Sequence, residues 1–334
     1  MKFVTFQVKT PVGPVQRIGV LRRQGVIDLH AAYAAYLRDV RAIYRWRELA
    51  QAIVPSDMLK FIEGGSMSMD AAHQALDHDE RTGDRPTNDN GARLFYQLDE
   101  VRMLAPVPRP VSIRDCSAFL QHVMNARARG QAPTPLPEVF YEIPAHYRTS
   151  STDVIGPDEP IFWPSYTEKL DYELEIALCI GKQGVNIPAE NAEEYIFGYT
   201  IFNDISARDI QRKEMQLMLG PAKAKSFRNS NIMGPCLVTK DELDVSNLRM
   251  KARINGEVWS DGTTRDMHFT FPQLIAYLSK DDPLYPGEFI GSGTVGFGCG
   301  MELDKWIKPG DVVELEVEGI GILRNRVSPL PARR

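Results

Sequence analysis

Apolar and polar residues alternate through the first segment, Met1-Lys-Phe-Val-Thr-Phe-Gln-Val8, and the pattern breaks at Pro11-Val-Gly-Pro14 and again at Gln24-Gly25. Period-two alternation cut by turn formers predicts a small β meander over residues 1–29. The period then lengthens. Asp28 stands where an N-cap would precede an Ala- and Tyr-rich helical run from His30 to Trp46, and Ser56 opens a second run that stops at Gly64-Gly65. Residues 81–91 are polar and rich in breakers, and Pro106, Pro108 and Pro110 form a stiff connector, so a boundary is expected near residue 105. Beyond it, short alternating runs separated by turn residues predict a strand-rich region interrupted by two helices, over residues 115–128 and 206–218. The expected class is α+β and rich in β, with a smaller N-terminal α+β domain over 1–105 and a larger domain over 106–334.

One predicted strand carries more than packing. In Tyr172-Glu-Leu-Glu-Ile-Ala-Leu-Cys-Ile180, the side chains of Tyr172, Leu174, Ile176, Leu178 and Ile180 share one face, which puts Glu173 and Glu175 together on the other. That second face continues with Ala177 and Cys179, as a covered face would. Two carboxylates on a covered face need a cation or a proton. A further apolar run over residues 195–202 leads to Asp204 and then into the second helix. There Ser206 and Asp209 have capping-box spacing, and Arg208 and Gln211, three apart, share a helical face. On the first helix Cys116, Phe119, Leu120, Val123 and Met124 form an apolar stripe, with Asp115 and His122 seven apart along its edge. Taken singly, each of these has a plainer reading as a solvated strand face, a surface ion pair or a packed histidine.

Composition narrows the chemistry. Lys and Arg number 39 against 44 Asp and Glu, a formal net charge of −5 with no basic stripe to track phosphates, so nucleic acid is not an expected partner. No apolar stretch approaches the roughly 20 residues that span a bilayer, so no membrane partner is expected and a cytoplasmic location is. Cys116, Cys179, Cys236 and Cys299 lie far apart with no CxxC pair, which excludes a zinc ribbon or dithiol motif and suits reduced core residues. Gly291-Ser-Gly-Thr-Val-Gly296 fits GxGxxG, but more glycines and a Lys-Pro-Gly-Asp turn follow it where a dinucleotide fold would open a helix.

The segments Leu170-Asp-Tyr-Glu-Leu-Glu175, Asn203-Asp-Ile-Ser-Ala-Arg-Asp-Ile-Gln211, Lys225-Ser-Phe227, Gly291-Ser-Gly-Thr294 and Lys308-Pro-Gly-Asp311 occur together, in this order. In that combination the chain resembles the fumarylacetoacetate hydrolase family over about residues 110–330. The resemblance implies a mixed β-sandwich roll for the larger domain, a homodimer, and a metal site of Glu173, Glu175 and Asp204 with Asp115 as fourth ligand. It implies His122 as catalytic base, oriented by Glu302, and Lys225 as a catalytic cation beside the substrate-binding Arg208 and Gln211. Thr294 matches a substrate contact, and either Tyr147 or Tyr141 a substrate tyrosine. Ser117 stands where the hydrolase branch has a tyrosine, so specificity is expected there and in the loop over 130–137. Oxygen-only ligands suit Mg²⁺, with Mn²⁺ or Ca²⁺ as substitutes, and argue against zinc. The expected activity is hydrolysis of a carbon–carbon bond in a chelated diketo acid by water that His122 activates. The alternatives are decarboxylation, hydration, isomerisation or ureidoglycolate-type lysis of an oxo acid on the same fold, and a non-catalytic β-rich binding module whose acidic face meets solvent.

Overall fold

Lys2–Thr10, Gly13–Arg22 and Gly25–Asp28 are consecutive antiparallel strands, as the alternation predicts. The structure is a computed structural model that describes residues 1–22, 25–83, 87, 92–128, 135–218 and 220–329. Much of the breaker-rich stretch 81–91 and of the loop 130–137 therefore lies outside the described residues. On its other edge Lys2–Thr10 pairs with Asn231–Thr239, and the sheet runs on through Ile196–Asp204, Glu175–Ile180, Phe289–Gly291, Ile113–Cys116 and His146–Thr149. Pairing is parallel between Phe289–Gly291 and Ile113–Cys116 and antiparallel between most other neighbours, so the sheet is mixed. A second, antiparallel sheet has the order Glu257–Thr263, Arg249–Ile254, Val312–Val317, Gly321–Arg326.

Alternation along Glu175–Ile180 divides the interior into two cores. Ile176, Leu178 and Ile180 join Met250, Ala252, Val313, Leu315 and Leu323 of the second sheet. Ala177 and Cys179 point the other way, into a cluster with Phe202, Phe289, and Leu29, Phe61 and Leu76 of the N-terminal helices. The chain is thus α+β, with the N-terminal helices on one side of a large mixed sheet and a smaller sheet, together with the helix Phe271–Leu278, on the other. No helix among the described residues is long and apolar enough to cross a membrane.

The helices depart from expectation at their ends. Asp28 does cap, its carboxylate accepting from the Ala31 N–H at 3.0 Å, but the helix stops at Asp39 because Ala42 turns the chain through a left-handed conformation. The cap of the next predicted run is Asp57, not Ser56, and a new helix, Gly65–Thr82, starts within the glycine pair, with Gly64 between the two helices. Larger corrections fall near the acidic residues. Ile113–Cys116 is a strand, recruited by partners on both edges, and the helix begins only at Leu120, so Asp115 and His122 share no helix. Ser206 pairs with Asp171 as a short strand, its hydroxyl donating to the Asp204 carbonyl at 3.0 Å, while Asp209 accepts from the Glu168 N–H and the Thr167 hydroxyl. No capping box forms, and the helix is Arg208–Glu214.

Phe289 is fully buried where the strands that carry Glu175 and Asp115 meet. Phe289→Ala is expected to lower the unfolding free energy by about 3–5 kcal/mol in urea titration. Tyr44→Ala, at a position 98% exposed, should change it by no more than about 0.5 kcal/mol. Equal effects would contradict this placement of the core.

Candidate metal centre

Four carboxylates converge where the central strands end. Asp204 is the last residue of Ile196–Asp204, Glu175 the first of Glu175–Ile180, and Asp115 lies in Ile113–Cys116. Glu173, two residues before Glu175, is fixed by a backbone bridge to Cys299 and by its N–H donating to the Asn203 side-chain carbonyl at 3.0 Å. All four are buried, and one oxygen of each lies within 4.8 Å of the others. Gly291 makes the convergence sterically feasible. It registers with Asp115 on one side and Ala177 on the other, and a Cβ there would come 2.4 Å from Asp115 Oδ1 and 3.2 Å from Glu175 Oε2.

Two cations balance part of this charge. The Lys225 ammonium donates to Glu173 and, at 2.6 Å, to Asp204 Oδ2. Arg208 donates from Nε to Asp171 and from Nη2 to Glu173, both at 2.8 Å, and from Nη1 to the Gln211 side-chain carbonyl at 2.9 Å. The Tyr147 hydroxyl also donates to Asp204, and Thr294 donates to Glu175 Oε1 at 3.3 Å. Burial opposes ionisation of Glu173, yet Lys225 and Arg208 overcome it and hold its carboxyl well below the usual range. The others are left short. Burial lifts Asp115 to about 6 and Asp204 to about 7, and burial with the Asp115 charge pushes Glu175 well above its ordinary value.

Asp115 Oδ1, Glu175 Oε2 and Asp204 Oδ1 are buried acceptors without a hydrogen-bond partner. Unpaired carboxylate oxygens in a dry interior are costly, and a cation held among them removes that cost. The donor set is oxygen throughout, which fits a hard divalent ion such as Mg²⁺ or Mn²⁺.

A second constellation adjoins the first through the Glu173–Cys299 bridge. His122 Nδ1 lies 2.8 Å from Glu302 Oε2, and Cys299 Sγ and an N of His122 lie close enough that the three side chains could formally hold a metal. Glu302, however, already accepts from His122, the Asn125 amide, the Phe297 N–H and the Cys299 thiol. It is a hydrogen-bond hub rather than a ligand. Opposed by burial, these donors, with His122 foremost, hold its carboxyl below the usual range.

Of the residues singled out in the sequence, Asp115, Glu173, Glu175, Asp204, Lys225, Arg208, Gln211, Thr294 and Tyr147 thus stand in one connected cluster, and His122 and Glu302 stand in the adjoining one. Tyr141 lies apart, 44% exposed with its ring against His268. Ser117 follows the Asp115 strand, its N–H donating to the Ala145 carbonyl, and no hydrogen bond among the described residues ties its hydroxyl to the carboxylates. Sequence reasoning missed Asp171, Asn203, Asn125 and Cys299. Asp171 and Asn203 lie inside the quoted motifs, and Asn125 is one helical turn beyond His122. A cavity of about 800 Å³ between Arg17, Asp28, Trp46 and Tyr96 shares no residue with either cluster.

The family model of the fumarylacetoacetate (FAA) hydrolase C-terminal region matches residues 112–328. The chain is 33% identical over 278 residues to oxaloacetate tautomerase YisK of Bacillus subtilis (strain 168), covering 82% of this chain and 87% of that one. It is 30% identical over 332 residues to the human mitochondrial oxaloacetate tautomerase FAHD2A, covering 98% and 91%. Two solved structures share the fold. The fumarylacetoacetate hydrolase of the psychrophile Exiguobacterium antarcticum has a TM-score of 0.69 at 24% identity, covering 98% of this chain and 99% of that one. The maleylpyruvate hydrolase of Sphingobium sp. SYK-6, solved with manganese(II) and pyruvate, has a TM-score of 0.67 at 20% identity, with coverage of 98% and 99%. The expected carbon–carbon hydrolase is corrected by the relatives alike over most of the chain, which are tautomerases and therefore isomerases. Family membership itself rests on the match across the whole strand-rich region that carries the carboxylates: this chain belongs to the fumarylacetoacetate hydrolase family.

Proposed function

We propose that the chain is a divalent-cation-dependent tautomerase that interconverts the enol and keto forms of a short 2-oxo dicarboxylate of the oxaloacetate type. The observation that carries this reading is the set of three unpaired, buried carboxylate oxygens beside a histidine whose Nδ1 is anchored to a carboxylate. The tautomerase relatives favour proton transfer over the other reactions open to such a site.

Asp115, Glu173, Glu175 and Asp204 would hold the cation, Mg²⁺ by donor type with Mn²⁺ as an alternative. When bound, it supplies positive charge that favours the enolate over the neutral ketone. The remaining work falls to side chains. Because an ionised Glu302 can only accept, His122 Nδ1 carries the proton in that bond, which leaves Nε2 free to take and return a proton. In the ketonising direction Nε2 takes the proton as the enol O–H bond breaks, C2=O forms, and the C2=C3 electron pair takes a proton at C3. His122 is the group assigned to deliver that proton. Lys225 and Arg208 bring positive charge to the edge of the cage, where a substrate carboxylate or developing oxyanion needs it.

Metal binding is tested by thermal melting of the chelator-treated protein. Mg²⁺ or Mn²⁺ at a hundred times its Kd should stabilise it by about 2.7 kcal/mol. Glu175→Gln should abolish that shift and raise the melting temperature of the metal-free protein, because it removes one of the crowded carboxylates. No shift with wild type at millimolar metal would sink the reading.

Catalysis is tested by following the loss of enol absorbance of oxaloacetate, with products identified by NMR. His122→Ala should lower kcat by roughly 10²–10⁴-fold while the metal-induced melting shift persists. Ketonisation no faster than in buffer, or full activity in the variant, would reject the assignment.

A further inference from the structure

Glu302 receives more donors than orienting one histidine requires. Its side chain is fully buried, and Oε2 accepts from His122 Nδ1 at 2.8 Å and from Cys299 Sγ at 3.2 Å. Oε1 accepts from Asn125 Nδ2 at 2.8 Å and from the Phe297 N–H at 2.9 Å. The Phe297 contact comes from a backbone in the left-handed region, at φ +60°, which a bulky residue adopts only when its surroundings hold it there.

The orientation of Asn125 is forced on both sides. An ionised carboxylate cannot donate, so the amide nitrogen must face Glu302. The amide oxygen then faces away, and there it accepts from Gln121 Nε2 at 2.8 Å. Gln121 in turn lies against Gly296, where a Cβ would come 2.9 Å from its Cγ. Gln121, His122 and Asn125 all belong to the helix Leu120–Ala128, so the base and the two amides share one element, and Glu302 is hydrogen-bonded to it from Gly300–Leu303.

We propose that Asn125 is a positioning residue for His122: it fixes the rotation of the Glu302 carboxylate, and so holds the imidazole in the Nδ1–H tautomer with Nε2 free. The proposal rests on the proton-transfer role given to His122. Without the amide, Oε1 keeps only the Phe297 N–H, and the carboxylate gains freedom to turn away from the ring. Asn125 acts through Glu302 alone, so its effect must vanish once the imidazole is gone.

The test combines kinetics with ¹⁵N NMR of the histidine ring. Asn125→Ala should lower kcat about tenfold to a hundredfold, the range seen when a partner that orients a functional ligand is removed, with KM and the metal-induced melting shift unchanged. The double variant with His122→Ala should be no slower than His122→Ala alone. In the substrate-free protein the ring nitrogens should report a single Nδ1–H tautomer in wild type and a mixture in Asn125→Ala. Gln121→Ala, which only unlocks the amide, should move both readouts in the same direction by less. Unchanged ring shifts, an unchanged kcat, or a loss that adds to that of His122→Ala would overturn the proposal. The NMR readout needs no substrate. A wild-type protein that shows the single tautomer but no tautomerase activity would therefore overturn the function while leaving the positioning role standing.

Discussion

Asp115, Asp171, Glu173, Glu175 and Asp204 are all buried, and among the described residues Arg208 pairs with Asp171 and Glu173 and Lys225 with Glu173 and Asp204. Charge taken out of water costs several kcal/mol per ion unless it is paired and hydrogen-bonded. Asp171 meets that condition, since Arg208 and the N–H groups of Gly300 and Met301 fill its oxygens. Glu173 meets it through both cations. The shortfall is therefore concentrated on Asp115, Glu175 and Asp204, and it is these three that keep an unpartnered oxygen. The register of three strand pairs and the missing side chain at Gly291 serve to bring those oxygens together rather than apart.

The neighbouring Glu302 is the opposite electrostatic solution. Its two oxygens receive four donors, so it has no capacity left for a cation and is held ionised as a hydrogen-bond acceptor. Both groups contain buried carboxylates, four in the first and Glu302 alone in the second, and burial by itself would not say which could take an ion. Satisfaction does: a carboxylate with its lone pairs filled orients its partners, while one with lone pairs empty has room to accept an ion. The supports differ too. The unsatisfied carboxylates sit on or beside paired strands, whereas the histidine and its hub sit on a short helix and a glycine-rich segment.

Much of this was legible because strand alternation is a local property. Glu173 and Glu175 share a face by geometry alone, and Ala177 and Cys179 on the same face foretold that it would be covered, as their place in the helix-facing core bears out. What failed was local reading where tertiary pairing decides. Residues 113–116 could begin a helix by composition, yet two neighbouring strands claim their backbone, and Ser206 is taken by Asp171 before it can cap anything. Asn125 was passed over for a related reason. Nothing in its own segment announces a carboxylate that arrives from position 302, 177 residues away.

The reaction was the least legible feature, and the reason is chemical. A divalent cation held by carboxylates, with a histidine base beside it, serves any step that passes through an enolate. Hydrolysis adds a water at the carbonyl carbon and needs a carbon leaving group, whereas tautomerisation only moves one proton between oxygen and C3. Both demand the same motifs, so motifs shared by the family cannot separate them. On the proposed reading, what separates them is whether water as well as substrate reaches Nε2 of His122. Ser117, where specificity was expected, follows the Asp115 strand without a hydrogen bond from its hydroxyl to the carboxylates among the described residues, and most of the loop over 130–137 lies outside them. Likeness to tautomerases over 82% and 98% of the chain extends well beyond the shared motifs, and for that reason it bears on the reaction in a way that the carboxylates alone do not.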